Sequence, residues 1–141
     1  MELKTERLIM RTNIQFDRGH LVLPPKKSEI NLKNLKPSIA EDGGFIFYDD
    51  DNNLVCHIGI RTDRKPCEIS YGTQVQFRGK GYMQEALSFL LKLFFENGLI
   101  ENVYALICNN PESEHILTKN GFIKELRHEG GGDWFILDMK F

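Results

Sequence analysis

Cysteine is scarce, at three in 141 residues, and no two share a C-x-x-C spacing. Cys56, Cys67 and Cys108 each fall in an apolar or strand-like run. Buried free thiols in a reducing compartment are therefore expected, and neither a disulfide framework nor a zinc site. An excess of charge of one sign is also lacking, since 18 Lys and Arg stand against 20 Asp and Glu. A net charge of −2 gives no electrostatic reason to bind nucleic acid or an anionic membrane. No apolar run approaches the ~18 residues of a membrane helix. Met1–Glu6 has no signal-peptide core. The expectation is a soluble cytoplasmic protein without a nucleic-acid or membrane partner, and monomer and homodimer both stay open. Internal repeats, low-complexity runs and linkers are absent too, so residues 1–141 are expected to form a single domain.

What is present is ordinary globular composition, 41% hydrophobic and 27% charged, with a surplus of 10 Phe that should build core. Leu3 to Arg11 reads as a first strand centred on Leu8, Ile9 and Met10. Residues 12–44 are broken by Pro24, Pro25 and Pro37, with only a hint of a short helix around Leu32, Leu35 and Ile39. Phe45–Tyr48 and Leu54–Arg61 read as the arms of a hairpin, turned by Asp49–Asn53. That acidic tip is read as a solvated turn. Cys67–Val75 is a further strand.

Tyr82 to Asn97 is the clearest helix. Glu85, Ser88, Lys92 and Glu96 make a polar stripe, and Ala86, Leu87, Phe89, Leu90, Leu91, Leu93, Phe94 and Phe95 cover the rest, so it must pack on a sheet. Gly98 suits a left-handed cap. Val103–Cys108 is a short apolar strand, and strand–helix–strand implies a parallel pair. Asn110-Pro111 opens a second helix with a cap and a first-turn proline. Asn120-Gly121 closes it ahead of Phe122. Ile123–His128 and Trp134–Met139 form a final hairpin around Gly130–Gly132.

The chemistry is concentrated in Gln76-Phe77-Arg78-Gly79-Lys80-Gly81, which runs straight into the first helix. Two glycines one residue apart let the backbone turn sharply and present its N–H groups. The helix start adds unpaired N–H donors and a positive dipole end. This is an anion site suited to a pyrophosphate. Two rival loops fail residue by residue. A Walker A loop needs Lys-Ser or Lys-Thr, and Lys80 is followed by Gly81. A dinucleotide-binding loop needs a third small residue where Gln84 stands.

The run Q-x-x-G-x-G, closing with Tyr82, resembles the acyl-CoA pyrophosphate loop of the GNAT N-acetyltransferase superfamily. Asn110-Pro111-Glu112-Ser113 followed by Lys119-Asn120-Gly121-Phe122 resembles the segment of its ribosomal-protein N-acetyltransferase-like branch that lies against the pantetheine arm. Thr5–Arg11 and Glu68–Gly72 are similar to that branch as well, in the same order. The resemblance implies an α/β fold: a mixed, mostly antiparallel sheet splayed at its centre, with flanking helices. Acetyl-CoA as co-substrate would lie in the opening. The backbone of Thr73, Gln74 and Val75 would meet pantetheine. Gln76, Phe77, Arg78, Gly79, Lys80, Gly81, Tyr82 and Met83 would hold the pyrophosphate, while Asn110 and Ser113 flank the thiol.

The activity implied is acetyl transfer to a primary amine, on a protein N-terminus or a small molecule, by direct attack on the thioester. A free α-amine, with a pKa of about 8, is deprotonated more cheaply than lysine at about 10.4. The chain departs from the family pattern at three places. Leu117 stands where many members have a tyrosine acid, Ala105 where some have a glutamate base, and Met83 where alanine or glycine is usual. Glu68 and Ser113 are the catalytic candidates, each with a structural alternative: a strand-edge carboxylate and a completed helix cap. His57, alone in an apolar run, reads first as a core or edge residue. Loss of the tyrosine and glutamate keeps open a non-catalytic acyl-CoA-binding sensor or interaction domain.

Overall fold

A computed structural model of the chain describes residues 2–11, 15–17, 20–22, 44–61, 67–96, 101–107, 110–125 and 132–138. The region expected to form one opening strand is instead two. β1 (Glu2–Lys4) pairs antiparallel with β2 (Ile9–Arg11), Leu3 facing Met10. Thr5 folds the chain between them, because its backbone N–H donates to the Leu8 carbonyl at 2.8 Å and its hydroxyl accepts from the Leu8 N–H at 3.1 Å. A local side-chain bond of this kind competes with strand extension. β3 (Gln15–Asp17) and β4 (His20–Val22) form a separate antiparallel pair that sequence pattern did not suggest. The helix hinted at around Leu32, Leu35 and Ile39 lies outside the described residues.

The hairpin of β5 (Gly44–Tyr48) and β6 (Leu54–Arg61) is as expected. Its turn is built by the Asp49 carboxylate, which accepts from the backbone N–H groups of Asp51 and Asn53 at 3.0 and 2.8 Å. Hydrogen bonds from Asn53 hold that carboxyl below its ordinary pKa. β7 ends at Thr73 (Cys67–Thr73), two residues earlier than expected, and Val75–Phe77 winds into a 3₁₀ turn. α1 (Tyr82–Glu96) follows, then β8 (Asn102–Ile107), α2 (Pro111–Lys119), β9 (Ile123–Lys124) and β10 (Asp133–Asp138). Of the expected 123–128 strand residues 123–125 are described, and β9 takes the first two. Eight strands form one sheet in the order β1-β2-β5-β6-β7-β8-β10-β9.

Every described pairing in that sheet is antiparallel except β7 with β8. α1 buries Met83, Ala86, Leu87, Leu90, Leu91 and Phe94, one stripe at helical spacing. Phe89, Leu93 and Phe95, assigned to the same face from sequence, are only partly covered. The Phe94 ring meets Phe45 edge-on at 5.4 Å, which fixes the face of the sheet on which α1 lies. By register, Ile58, Ile60, Ile69 and Tyr71 share that face. Leu87 is fully buried there, and Leu87→Ala would cost about 2–5 kcal/mol. Cys56 is buried, with its thiol pushed up to about 12 by desolvation, whereas Cys67 is only half-buried. Cys108 and the Gly98 cap lie outside the described residues. No helix is long and apolar enough to cross a membrane among the described residues.

Candidate active site

The sheet opens where the parallel ladder stops. β7 pairs β8 only at Cys67–Val103, Glu68–Tyr104 and Ile69–Ala105. Beyond Ile69 its remaining residues up to Thr73 pair with β6, while Leu106 and Ile107 pair with β10. The two strands therefore diverge at the carboxyl end of β7, a position at which α/β sheets accept ligands.

Past Thr73 the chain rises into the glycine turn. The Gln74 N–H donates to the Val55 carbonyl at 2.9 Å, and its own carbonyl accepts from Phe77 at 2.9 Å. Gly79 and Gly81 have φ of +75° and +80°, values that side-chain-bearing residues rarely adopt. The Gly81 carbonyl accepts the first α1 bond, from the Glu85 N–H at 3.1 Å, so Gly81 is the cap residue itself. Space exists for a Cβ at both glycines, with nothing within 4 Å of it at Gly79 and Arg7 Nη2 at 3.5 Å at Gly81. Glycine is required here by conformation, not by crowding.

A pocket of about 450 Å³ lies against this turn. Thr73, Phe77, Arg78, Gly79, Gly81, Tyr82 and Met83 border it from the predicted set. Gln84 continues that wall, and α2 supplies the other with Pro111, Glu112, His115, Ile116 and Lys119. His115 was not singled out from sequence and Lys119 only as part of the Lys119–Phe122 motif, although their i, i+4 spacing puts them on one helix face. Val75, Gln76 and Lys80 are exposed on the outer side of the turn, Val75 at 73%. Met83 is 4% exposed and packs into the core. Arg78 is exposed and donates from Nε to the Thr73 carbonyl at 3.0 Å.

Asn110 caps α2, its Oδ1 accepting from the Ser113 N–H at 3.2 Å. The Ser113 carbonyl accepts from the Tyr71 hydroxyl, also at 3.2 Å, so α2 lies on the same face of the sheet as α1. Burial pushes the Tyr71 phenol up to about 12, the contact with Ser113 offsetting this only in part. Tyr71 was passed over in the sequence, though its alternation with Ile69 marks the helix-covered face. Glu68, Ser70 and Gly72 point to the opposite face. Glu68 stands beside Arg61 and Tyr104 in the ladders and is half-buried. His57 faces Gly72, and a Cβ at 72 would come within 2.9 Å of its Cε1. The two catalytic candidates thus lie on opposite faces of the sheet, Glu68 within the last rungs of the closed β7–β8 ladder.

Behind the turn, the Thr5–Arg7 segment grips Glu85. The Glu85 carboxylate accepts from the Thr5 hydroxyl, the Arg7 N–H at 2.8 Å and Arg7 Nε at 2.7 Å. Burial alone would raise this carboxyl, but these donors outweigh it and hold the pKa below the ordinary value. The sequence reading put Glu85 on a solvent stripe; only the fold brings the first turn of the chain to it. Among the described residues, no group of His, Cys, Asp and Glu is arranged to hold a metal. Leu117 is fully buried and Ala105 is 1% exposed, so neither position opens onto the site.

A family model for the acetyltransferase (GNAT) domain matches residues 4–123. The chain belongs to the GNAT acetyltransferase family. Solved GNAT structures agree in fold. A GNAT-family acetyltransferase from Bacillus anthracis is 18% identical, with 98% of each chain covered and a TM-score of 0.66. An acetyltransferase from Agrobacterium tumefaciens is 16% identical over 99% of this chain and 95% of that one, at a TM-score of 0.72. The ribosomal L7/L12 α-N-protein acetyltransferase RimL, solved with coenzyme A, is 16% identical at a TM-score of 0.59. That likeness covers 68% of this chain and 61% of RimL. A comparison with curated proteins found no match.

Proposed function

We propose that this GNAT chain is one N-acetyltransferase domain that moves the acetyl group of acetyl-CoA to a primary amine by direct attack. The observation that carries the reading is the coincidence of two features. The β7–β8 ladder ends at Ile69 and Ala105, and the pocket between the Gly79–Gly81 turn and α2 lies past the end of the opened strand, at Thr73. Residues 73–83 would take the pantetheine and pyrophosphate, with two positive-φ glycines and a helix start presenting N–H groups to the phosphates.

The placement of the polar groups supports a direct transfer. The amine would approach from the face bearing Glu68, which would accept its proton directly or through water. It attacks the thioester carbonyl, the C–S bond breaks, and the thiolate departs on the side of α2, where Ser113 would assist protonation. Backbone N–H groups beyond Thr73 would stabilise the oxyanion, a contribution of a few kcal/mol per donor in sites of this kind. For the acceptor, the family likeness supports a protein N-terminal amine or a small amine; solved neighbours act on spermidine and on ribosomal L7/L12.

Buried Leu117 and Ala105, in place of an acid and a base, favour a second reading as an acyl-CoA-binding domain without turnover. Acetyl-CoA consumption with a panel of N-terminal peptides, polyamines and small amines separates the two. Saturable turnover with at least one amine is expected. CoA binding with no amine-dependent turnover would establish the second reading.

A further inference from the structure

We infer that Arg7 and Glu85 are a positioning pair that sets both the shape and the charge of the glycine turn from behind. This rests on the proposed binding of the CoA pyrophosphate at Gly79–Gly81. Neither residue borders the pocket, so neither is offered as a phosphate ligand.

Shape comes first. Arg7 Nη1 donates to the Lys80 carbonyl at 3.0 Å, and its guanidinium lies over the Tyr82 ring with 4.2 Å from Cζ to the centroid. A trans peptide points its C=O and its following N–H in opposite directions. Holding the Lys80 carbonyl towards Arg7 therefore aims the Gly81 N–H away from Arg7, outward from the turn. Without that anchor the Lys80–Gly81 peptide rotates more easily, since the positive-φ glycine on its far side resists it little. Arg7 is itself held by Glu85 through Nε and the backbone N–H, and its planar guanidinium serves Glu85 and the Lys80 carbonyl at once, a geometry that lysine cannot reproduce.

Charge follows from position. Glu85 lies in the first turn of α1, close to the helix end that would receive an anion. Its negative charge would oppose a phosphate there unless neutralised, and the Arg7 guanidinium at 2.7 Å does so. The pair therefore keeps a carboxylate that ties the N-terminal turn to α1 without repelling the ligand. Arg7 and Glu85 differ in what their loss exposes. Removing Glu85 leaves a cation behind the turn, whereas removing Arg7 leaves an uncompensated anion.

Binding of CoA and of pantetheine, which lacks the phosphates, is measured by calorimetry and by competition for Arg7→Gln, Arg7→Lys, Glu85→Gln and the double variant Arg7→Gln/Glu85→Gln. Arg7→Gln is expected to weaken CoA about 10- to 100-fold, the scale of lost charge-assisted bonds, with pantetheine unchanged within about twofold. Arg7→Lys should fall between that variant and the native protein. The double variant should bind CoA more tightly than Arg7→Gln, because the stranded carboxylate is gone. Equal losses for CoA and pantetheine would show general loosening and overturn the inference. So would unchanged CoA affinity, or a double variant no better than the single. If Arg7→Gln does not fold, Arg7→Lys and the double variant decide by the same CoA-to-pantetheine comparison. A native protein that fails to bind CoA would instead remove the underlying reading.

Discussion

The Tyr71 hydroxyl donates to the Ser113 carbonyl across 3.2 Å, linking β7 to the first turn of α2 beyond the point where β7 and β8 part. Asn110 reaches the same residue through the Ser113 N–H. Both contacts use the backbone of Ser113, which leaves its side chain out of the bracing.

That separation makes Ser113 testable. Ser113→Ala keeps both contacts, so its melting temperature should stay close to native while kcat falls about 10- to 100-fold, the range for loss of a proton-transfer aid. Tyr71→Phe should do the reverse in stability, losing about 1 kcal/mol with the hydrogen bond. Denaturant titration and steady-state kinetics on both variants check this. Full turnover in Ser113→Ala would remove its catalytic role.

Gly81→Asp tests the turn itself. A Cβ fits at this position, so the defect comes from the positive φ and from a negative charge where backbone would meet phosphate. CoA affinity should drop by at least ~100-fold, measured by calorimetry on a variant shown to be folded. Unchanged affinity would move the pyrophosphate elsewhere.

Glu68→Gln tests the base. A carboxylate that removes the amine's proton matters most where little neutral amine exists. The loss in kcat/KM should be large near about pH 6.5 and shrink towards about pH 9, as an amine of pKa near 8 supplies itself. A defect independent of pH would assign Glu68 to positioning, and no defect would leave it an ordinary carboxylate of β7.

Much of this molecule is written in local pattern. The apolar stripe of α1, the Asn110-Pro111 start of α2 and the glycines of the turn each encode their conformation within a few residues, because periodicity, capping and positive φ are short-range requirements. The parallel β7–β8 pair followed from having only one helix between two apolar strands. Local pattern also misled. Leu3–Arg11 reads as one strand around the apolar centre Leu8, Ile9 and Met10, yet the Thr5 side chain folds it into two.

Three decisions belonged to the tertiary structure alone. The end of the β7–β8 ladder after Ile69 depends on which partners β6 and β10 offer, and no residue of β7 announces it. The placement of Glu68 and Ser113 on opposite faces of the sheet needs strand register and helix position together. The meeting of Arg7 with Glu85 spans 78 residues of chain. In sequence Arg7 is one residue of an expected strand and Glu85 one charge on a helix stripe. A charge pair acquires its meaning from distance, and distance between remote residues exists only once the chain has folded.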